Sequence, residues 1–121
     1  MKKIISKSFY FEAAHKLRNT ENEENKNIHG HSYFVEIFII DHDDKILKKG
    51  LILDFSVFQE KINIIKKDLD HRYLNEINGL ENPTLEHIGL YIYNRFKELD
   101  LHLYKILVKR KSCGETFILK V

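Results

Sequence analysis

The segment from Gly30 to Ile40 limits the possible folds most strongly, because the strand that it predicts is apolar on both faces. Side chains of a strand point alternately to opposite faces, and aromatic and β-branched residues favour strands. Helices on one side of an antiparallel sheet cover only one of its faces. We therefore expect the second face to be buried against another subunit, with the sheets of several subunits closing into a barrel. The two apolar faces are Tyr33, Val35, Ile37 and Ile39 on one side, and Phe34, Phe38 and Ile40 on the other.

The other periodicities predict one α+β domain that spans residues 1–121. Alternating residues predict strands, and apolar residues at helical spacing predict two amphipathic helices, the second of which begins after Pro83 and Thr84. The polar segments 16–27 and 41–45 are predicted to be a long exposed loop and a turn. The expected fold is β-β-α-α-β-β, a four-stranded antiparallel sheet with two helices on one face. The expected elements are strands at 3–14 and 30–40, helices at about 56–69 and 84–99, and strands at 101–108 and 116–121.

Charge and cysteine content exclude several classes of protein. The chain has 20 Lys and Arg residues against 18 Asp and Glu residues, and no run of like charge exceeds three. This balance argues against a surface that binds nucleic acids or membranes. No stretch approaches the roughly 18 apolar residues of a membrane span. With Cys113 as the single cysteine, neither an internal disulfide nor a cysteine-rich zinc site can form. We expect a cytoplasmic protein whose partner is a small molecule.

Three histidines predict a metal site at one end of the first hairpin. His29 and His31 are two residues apart and therefore project from the same face of a strand, separated by Gly30. His15, at the end of the partner strand, can lie opposite them. Three imidazoles with an open fourth position are typical of catalytic zinc sites, although nickel, cobalt or iron would fit the same ligands. The alternative is that the His-Gly-His pair is simply exposed or packed.

Two other polar groups leave both a structural and a functional interpretation open. Asp70 and His71 follow the first predicted helix, where an aspartate commonly makes a turn and a histidine is often structural. The basic cluster at 109–111 lies at a predicted hairpin tip, where it is either a solvated end or a site suited to phosphate.

Five short motifs occur in one order along nearly the whole chain. They are Phe11-Glu12-Ala13-Ala14-His15, His29-Gly30-His31, Asp54-Phe55, Leu69-Asp70-His71 with Leu74-Asn75, and Asn82-Pro83-Thr84-Leu85-Glu86. Together they resemble the 6-pyruvoyltetrahydropterin synthase and 6-carboxytetrahydropterin synthase family. The resemblance implies the tunnelling fold, in which sheets of several subunits close into a barrel, commonly in a hexamer, with active sites at the subunit interfaces.

The resemblance also implies roles for individual residues. Asp70 and His71 would transfer protons, and Thr84 would line the pterin pocket. The usual substrate is 7,8-dihydroneopterin triphosphate, whose side-chain oxygens bind zinc so that a base can move protons and a fragment can leave. The implied zinc ligands are His15, His29 and His31.

The first departure from the family concerns its catalytic cysteine, which lies four residues before His-Gly-His. Asn25 occupies that position, and an amide is no general base at neutral pH. Glu23 and Glu24 lie beside it, and a family branch with glutamate in place of cysteine forms 6-hydroxymethyl-7,8-dihydropterin. Glu24 is therefore a candidate catalytic residue, although its offset differs from that branch. The alternative is that both glutamates belong to the loop surface.

The second departure concerns the glutamate with which the family anchors the amino-pyrimidine edge of the pterin. Lys109 or Arg110 occupies its position, and both side chains only donate hydrogen bonds. Glu115, across the hairpin, is the candidate substrate-binding replacement. Without it, a different ligand is implied.

The leading hypothesis is a zinc-dependent pterin-forming lyase, similar to 6-carboxytetrahydropterin synthase, on the route to the deazapurine precursor of modified tRNA bases. A second hypothesis is the glutamate-dependent branch that feeds folate. A third, from another functional class, is a noncatalytic paralogue that keeps the zinc site and the barrel but binds a different ligand.

Overall fold

A long antiparallel hairpin forms the centre of the fold. The computed structural model describes all 121 residues, and its first two strands, β1 (Ile4–His15) and β2 (His29–Ile40), contain twelve residues each. They pair without a bulge from Ile4 opposite Ile40 to His15 opposite His29. Both predicted strands are confirmed, and each extends far enough to include a histidine at the same end of the hairpin.

The sheet has five strands, so the prediction of four was wrong. Its order is β3-β1-β2-β4-β5, with β3 (Arg72–Tyr73), β4 (Lys105–Arg110) and β5 (Glu115–Lys120). The β3 strand pairs in parallel with β1, which makes the sheet mixed rather than wholly antiparallel. A strand of two residues is too short to show any periodicity in the sequence. It forms because the chain that follows the first predicted helix is hydrogen-bonded to β1, with the His71 amide donating to the Glu12 carbonyl over 2.6 Å.

Three α-helices are present, of which two were predicted. They are α1 (Lys45–Lys49), α2 (Phe55–Leu69) and α3 (Leu85–Glu98). The α2 helix begins before Ser56 because Asp54 is its N-cap, with a carboxylate that accepts from the Ser56 amide over 2.8 Å. The predicted start of the second long helix is confirmed, since the Thr84 hydroxyl accepts from the amide of His87 over 3.1 Å. The α1 helix has only five residues, too few for a pattern to appear in the sequence.

The two long helices cover one face of the sheet. The α2 helix packs on β1, and α3 packs on β4 and β5. Their apolar stripes meet the inward side chains of the central strands in a single core of 22 buried apolar residues. None of the helices combines the length and the apolar character that crossing a bilayer requires. The fully buried large side chains include Phe11, Tyr33, Ile37, Phe58, Ile62, Ile65, Leu69, Ile88, Ile92 and Phe96.

The opposite face of the sheet carries the second apolar row in a partly exposed state. Tyr10 is 48% exposed, and lysine ammonium groups lie over the neighbouring aromatic rings. Lys111 Nζ is 4.8 Å from the ring centre of Phe34, and Lys105 Nζ is 4.9 Å from that of Phe38. The second apolar row of β2 is therefore only partly buried in the single chain. Its burial against another subunit and closure of the sheet into a barrel stay predictions.

Gly89 allows α3 to approach the sheet closely. A Cβ atom on Gly89 would lie 2.4 Å from Cδ2 of Phe117 on β5, well inside van der Waals contact. We predict that Gly89→Ala lowers the free energy of unfolding by about 1–3 kcal/mol through this overlap, although alanine favours helices by roughly 1 kcal/mol. Chemical denaturation measures the change. Adding Phe117→Leu should recover part of the loss, Leu90→Ala on the exposed side of α3 is the matched control, and an undiminished stability of Gly89→Ala would contradict the prediction.

Candidate metal centre and ligand site

The β1–β2 hairpin brings the three predicted histidines together at one end of the sheet. His15 pairs with His29, and Ala13 pairs with His31, so all three side chains lie on the helix-covered face. His15 is fully buried. The ring centres are 4.6–4.9 Å apart, and one nitrogen of each ring lies within 4.8 Å of the other two. The structure therefore places the predicted ligand set around one point.

Backbone carbonyls orient two of these rings. His15 Nδ1 lies 2.9 Å from the Pro83 carbonyl oxygen, and His29 Nδ1 lies 2.8 Å from that of Asn27. A carbonyl only accepts hydrogen bonds, so each neutral ring carries its proton on Nδ1 and its lone pair on Nε2. The Nε2 atoms of all three histidines are buried and without a hydrogen-bond partner. Buried unpaired polar atoms are rare, and a cation would satisfy these three at once, so the residues fit a metal ion.

Burial keeps the imidazoles of His15 and His31 in the neutral form that binds metals. Burial lowers the pKa of His15 to about 4, with a smaller lowering by the nearby His29, His31 and Arg110 and a partly opposing hydrogen bond to Pro83. Burial is also the main cause that lowers the pKa of His31, followed by the charge of Arg110. His15 and His31 therefore need no deprotonation step at pH 7 before a metal binds.

Asp70 and His71 lie at the neighbouring edge of the sheet, as a hydrogen-bonded pair. Asp70 accepts from the Glu12 amide over 2.9 Å, which is the main cause of the lowered pKa of its carboxyl group. Its other oxygen is 3.1 Å from His71 Nδ1, and the His71 backbone has a left-handed φ of 60°. His71 and His31 line the same open cavity of about 550 Å³. The structure thus brings His71, which Asp70 holds, and one predicted metal ligand to a common cavity.

Thr84 borders the histidine cluster through its neighbour in the chain. Pro83, which immediately precedes it, supplies the carbonyl that orients His15. The Thr84 hydroxyl caps α3 and accepts from the His87 amide. The contact seen in the structure is therefore a helix cap, and a contact with a ligand stays a prediction.

Glu115 and Arg110 lie side by side on the same face as the histidines. They are paired across β4 and β5, and Arg110 Nη2 is 3.1 Å from Glu115 Oε1. The charge of Glu115 raises the pKa of His31 against the larger lowering effects, which places the carboxylate within electrostatic reach of the cluster. Both residues line a cavity of about 430 Å³ that also contains Leu85 and Glu86 at the start of α3.

Lys109 and Arg110 are neighbours in the chain but lie on opposite faces of β4. The sequence alone left open which of the two faces the histidines. Lys109 pairs with Phe34 on the face of the sheet away from the helices, and its Nζ is 6.0 Å from the ring centre of Phe34. Arg110 faces the histidines. Sequence reasoning also missed Tyr33, which is fully buried and whose hydroxyl lies 3.4 Å from His15 Nδ1. Its place on the His31 face of β2 was the available signal.

Glu24 has no contact with the other predicted site residues. It is exposed on a short 3-10 helix, Glu23–Lys26, whose Glu23 forms an ion pair with Lys26 over 2.8 Å. Asn25, at the family's cysteine position, accepts from the Leu17 amide through its backbone carbonyl over 2.8 Å. The loop thus holds its shape through Asn25, and the catalytic role of Glu24 stays a prediction without geometric support.

We predict that His29→Ala and His31→Ala each abolish stoichiometric zinc binding, because two imidazoles leave the metal with too few protein ligands. Metal analysis of protein purified in the presence of zinc measures the content. His42→Ala and His87→Ala are the controls, since both histidines lie outside the cluster. Zinc content that is unchanged in the two cluster variants would contradict the assignment.

Stability of the metal-free protein should depend on pH through His15. Its pKa falls from 6.5 to about 4 on folding, so between these values the unfolded chain binds a proton that the folded chain does not. The free energy of unfolding should therefore fall as the pH drops through this window, by up to roughly 3 kcal/mol. Denaturation in chelator at pH 7 and pH 4.5 measures it. His15→Gln should show a smaller fall, and an equal fall in both proteins would refute the prediction.

Known proteins resemble the chain in sequence and in fold. The sequence profile of the family described as 6-pyruvoyl tetrahydropterin synthase matches residues 4–118. The chain is 35% identical over 120 residues to 6-carboxy-5,6,7,8-tetrahydropterin synthase of Synechocystis sp., with 94% of this chain and 92% of the relative covered. It is 36% identical over 88 residues to dihydroneopterin monophosphate aldolase of Pyrococcus furiosus, with 73% and 69% covered.

Among solved structures, 6-pyruvoyl tetrahydropterin synthase of Caenorhabditis elegans superimposes with a TM-score of 0.82 at 21% identity. The superposition covers 100% of this chain and 96% of that one. This likeness shows that the two chains share a fold. With the family profile spanning nearly the whole sequence, the chain belongs to the 6-pyruvoyl tetrahydropterin synthase family.

Proposed function

We propose that this chain is a zinc-dependent pterin-forming lyase acting on 7,8-dihydroneopterin triphosphate, with 6-carboxy-5,6,7,8-tetrahydropterin as its product. The observation that carries the proposal is the set of three buried, unpaired Nε2 atoms in a member of this family. The relative from Synechocystis, which bears the name of that synthase, matches over almost its full length. The product would be a precursor for deazapurine bases of tRNA. The proposed binding partner is therefore the small pterin substrate and not the tRNA itself.

The histidine cluster would hold zinc and leave a position open for the ligand. His15, His29 and His31 supply three neutral imidazoles, the ligand set of open catalytic zinc sites. When bound, zinc would polarise oxygens of the substrate side chain and acidify the neighbouring carbon positions. The protein contributes the orientation of the rings, through the Pro83 carbonyl for His15 and the Asn27 carbonyl for His29.

His71 is the proposed proton carrier. Its Nδ1 is held by the Asp70 carboxylate, so Nε2 remains available to exchange a proton with a ligand in the cavity that His71 shares with His31. An imidazole suits this task because its ordinary pKa lies close to neutral pH. Asp70 acts as a positioning residue, itself held by the Glu12 amide.

Glu115 is the proposed anchor of the pterin ring. A carboxylate accepts hydrogen bonds from a ring N–H group, and Arg110 Nη2 lies 3.1 Å from one of the Glu115 oxygens. Thr84, at the start of α3, would border the ring from the other side of the cavity. His71 is 79% exposed in the single chain, so we also propose that a neighbouring subunit completes the site, in a homo-oligomer expected to be a hexamer.

A second candidate is the branch that forms 6-hydroxymethyl-7,8-dihydropterin for folate. Asn25 replaces the cysteine, and the similar protein from Pyrococcus furiosus is named as an aldolase. Glu24 or Glu23 would then be the replacement base. A noncatalytic paralogue is the third candidate, motivated by the loss of both the cysteine and the glutamate at position 110.

Incubation of the zinc-loaded protein with 7,8-dihydroneopterin triphosphate tests these candidates by product. We expect the carboxy compound, whereas the hydroxymethyl compound would favour the second candidate and no turnover at full zinc occupancy would favour the third. His71→Asn should lower kcat by about 10²–10⁴-fold with unchanged zinc content. His87→Asn is the matched control, and an unaffected kcat in His71→Asn would overturn the role given to His71.

A further inference from the structure

Arg110 is a largely buried charge with few partners. Its side chain is 11% exposed, and its one ionic contact is the 3.1 Å approach of Nη2 to Glu115. Its Nε is buried with no hydrogen-bond partner. A guanidinium carries five N–H donors and no acceptor, and leaving such donors unpaired in a buried place is unfavourable. The position therefore has unused donor capacity that an oxygen or nitrogen acceptor of a ligand would satisfy.

The guanidinium lies close to the proposed metal centre. Val108, two residues before Arg110, pairs with Val35, which puts Arg110 on the same face of the sheet as the three histidines and Tyr33. The Tyr33 hydroxyl lies 3.4 Å from His15 Nδ1, and Arg110 is a hydrogen-bond partner of the Tyr33 side chain. A ligand held at the histidines and reaching the cavity beside α3 would thus meet Arg110.

Arg110 and Glu115 together present a donor beside an acceptor. Both line one cavity of about 430 Å³, and their strand positions are directly paired. A lone glutamate accepts from two adjacent N–H groups, such as the amino group and N3–H of a pterin. A donor next to an acceptor instead complements a lactam edge, in which a ring N–H stands beside a carbonyl.

We propose that Arg110 and Glu115 jointly bind the lactam edge of a fused pyrimidinone, with Glu115 accepting from N3–H and Arg110 donating to the C4 carbonyl. This inference rests on the function proposed above and assigns its ring specificity. The 2-amino group is not the anchor in this arrangement. The site then accepts a 2-oxo ring, as in lumazines, about as well as the 2-amino ring of pterins.

Binding of two matched ligands to the zinc-loaded protein tests the proposal. The probes are 6-hydroxymethylpterin and 6-hydroxymethyllumazine, which share the N3–H and C4 carbonyl edge and differ in the 2-substituent and in the N1 proton of the lumazine, and their fluorescence reports binding. We expect Kd values within about threefold of each other. Arg110→Gln should weaken both ligands by about 10–100-fold, the loss of a hydrogen bond from a charged donor. Arg110→Glu, which supplies two neighbouring carboxylates, should shift the preference toward the pterin by tenfold or more.

Lys109→Gln is the matched control, because this neighbour lies on the opposite face of the strand. Zinc content and Tm are measured for every variant. A pterin preference above thirtyfold in the unmodified protein, or unchanged binding in Arg110→Gln, would overturn the lactam assignment while leaving the proposed function intact. Loss of zinc from Arg110→Gln would also overturn it, by assigning the residue to the metal centre. Failure of the zinc-loaded protein to bind either probe would refute the proposed function and, with it, this inference.

Discussion

The register of the β1–β2 hairpin is the constraint on which the rest of the site depends. His15 lies opposite His29, and Ala13 lies opposite His31. A shift of one residue would turn a whole strand over and move its histidines or its apolar side chains to the wrong face. The same pairing that buries Phe11 and Tyr33 in the core therefore also brings the three histidines together. Core packing and the histidine cluster share one structural determinant, which explains why the cluster lies on strands rather than on loops.

Around this hairpin, chain segments distant in sequence orient the ligands. The carbonyl of Pro83 reaches His15 across 68 residues, and it does so because Thr84 caps α3 directly after it. The amide of Glu12 holds Asp70, which in turn holds His71. These contacts link the end of α2 and the start of α3 to β1. Packing of α2 and α3 on the sheet thus sets both the tautomer of His15 and the position of His71.

The charges at the end of the β4–β5 hairpin differ from those that the family resemblance implies. A cation, Arg110, takes the place where a glutamate was expected, and a carboxylate, Glu115, lies directly across the hairpin from it. The exchange keeps an acceptor near the histidines and adds a donor. At the same time Glu24 stays at the surface, and its loop meets the histidine cluster only through the Asn27 carbonyl at its end. The candidate site residues other than Glu24 therefore lie at strand ends and at the ends of helices.

Local patterns in the sequence determined the two long strands, the two long helices and the three candidate metal ligands, because alternation and helical spacing act within a few residues. The same patterns could not reveal β3 or α1, which are too short to show a period, or the start of α2 at Asp54 rather than Ser56. Only the tertiary structure decided that Arg110, and not Lys109, faces the histidines, and that Glu24 does not. The position of Arg110 depends on the pairing of β4 with β2, and that of Glu24 depends on the conformation of the polar loop 16–27. Such contacts join residues far apart in sequence, and no local periodicity encodes them.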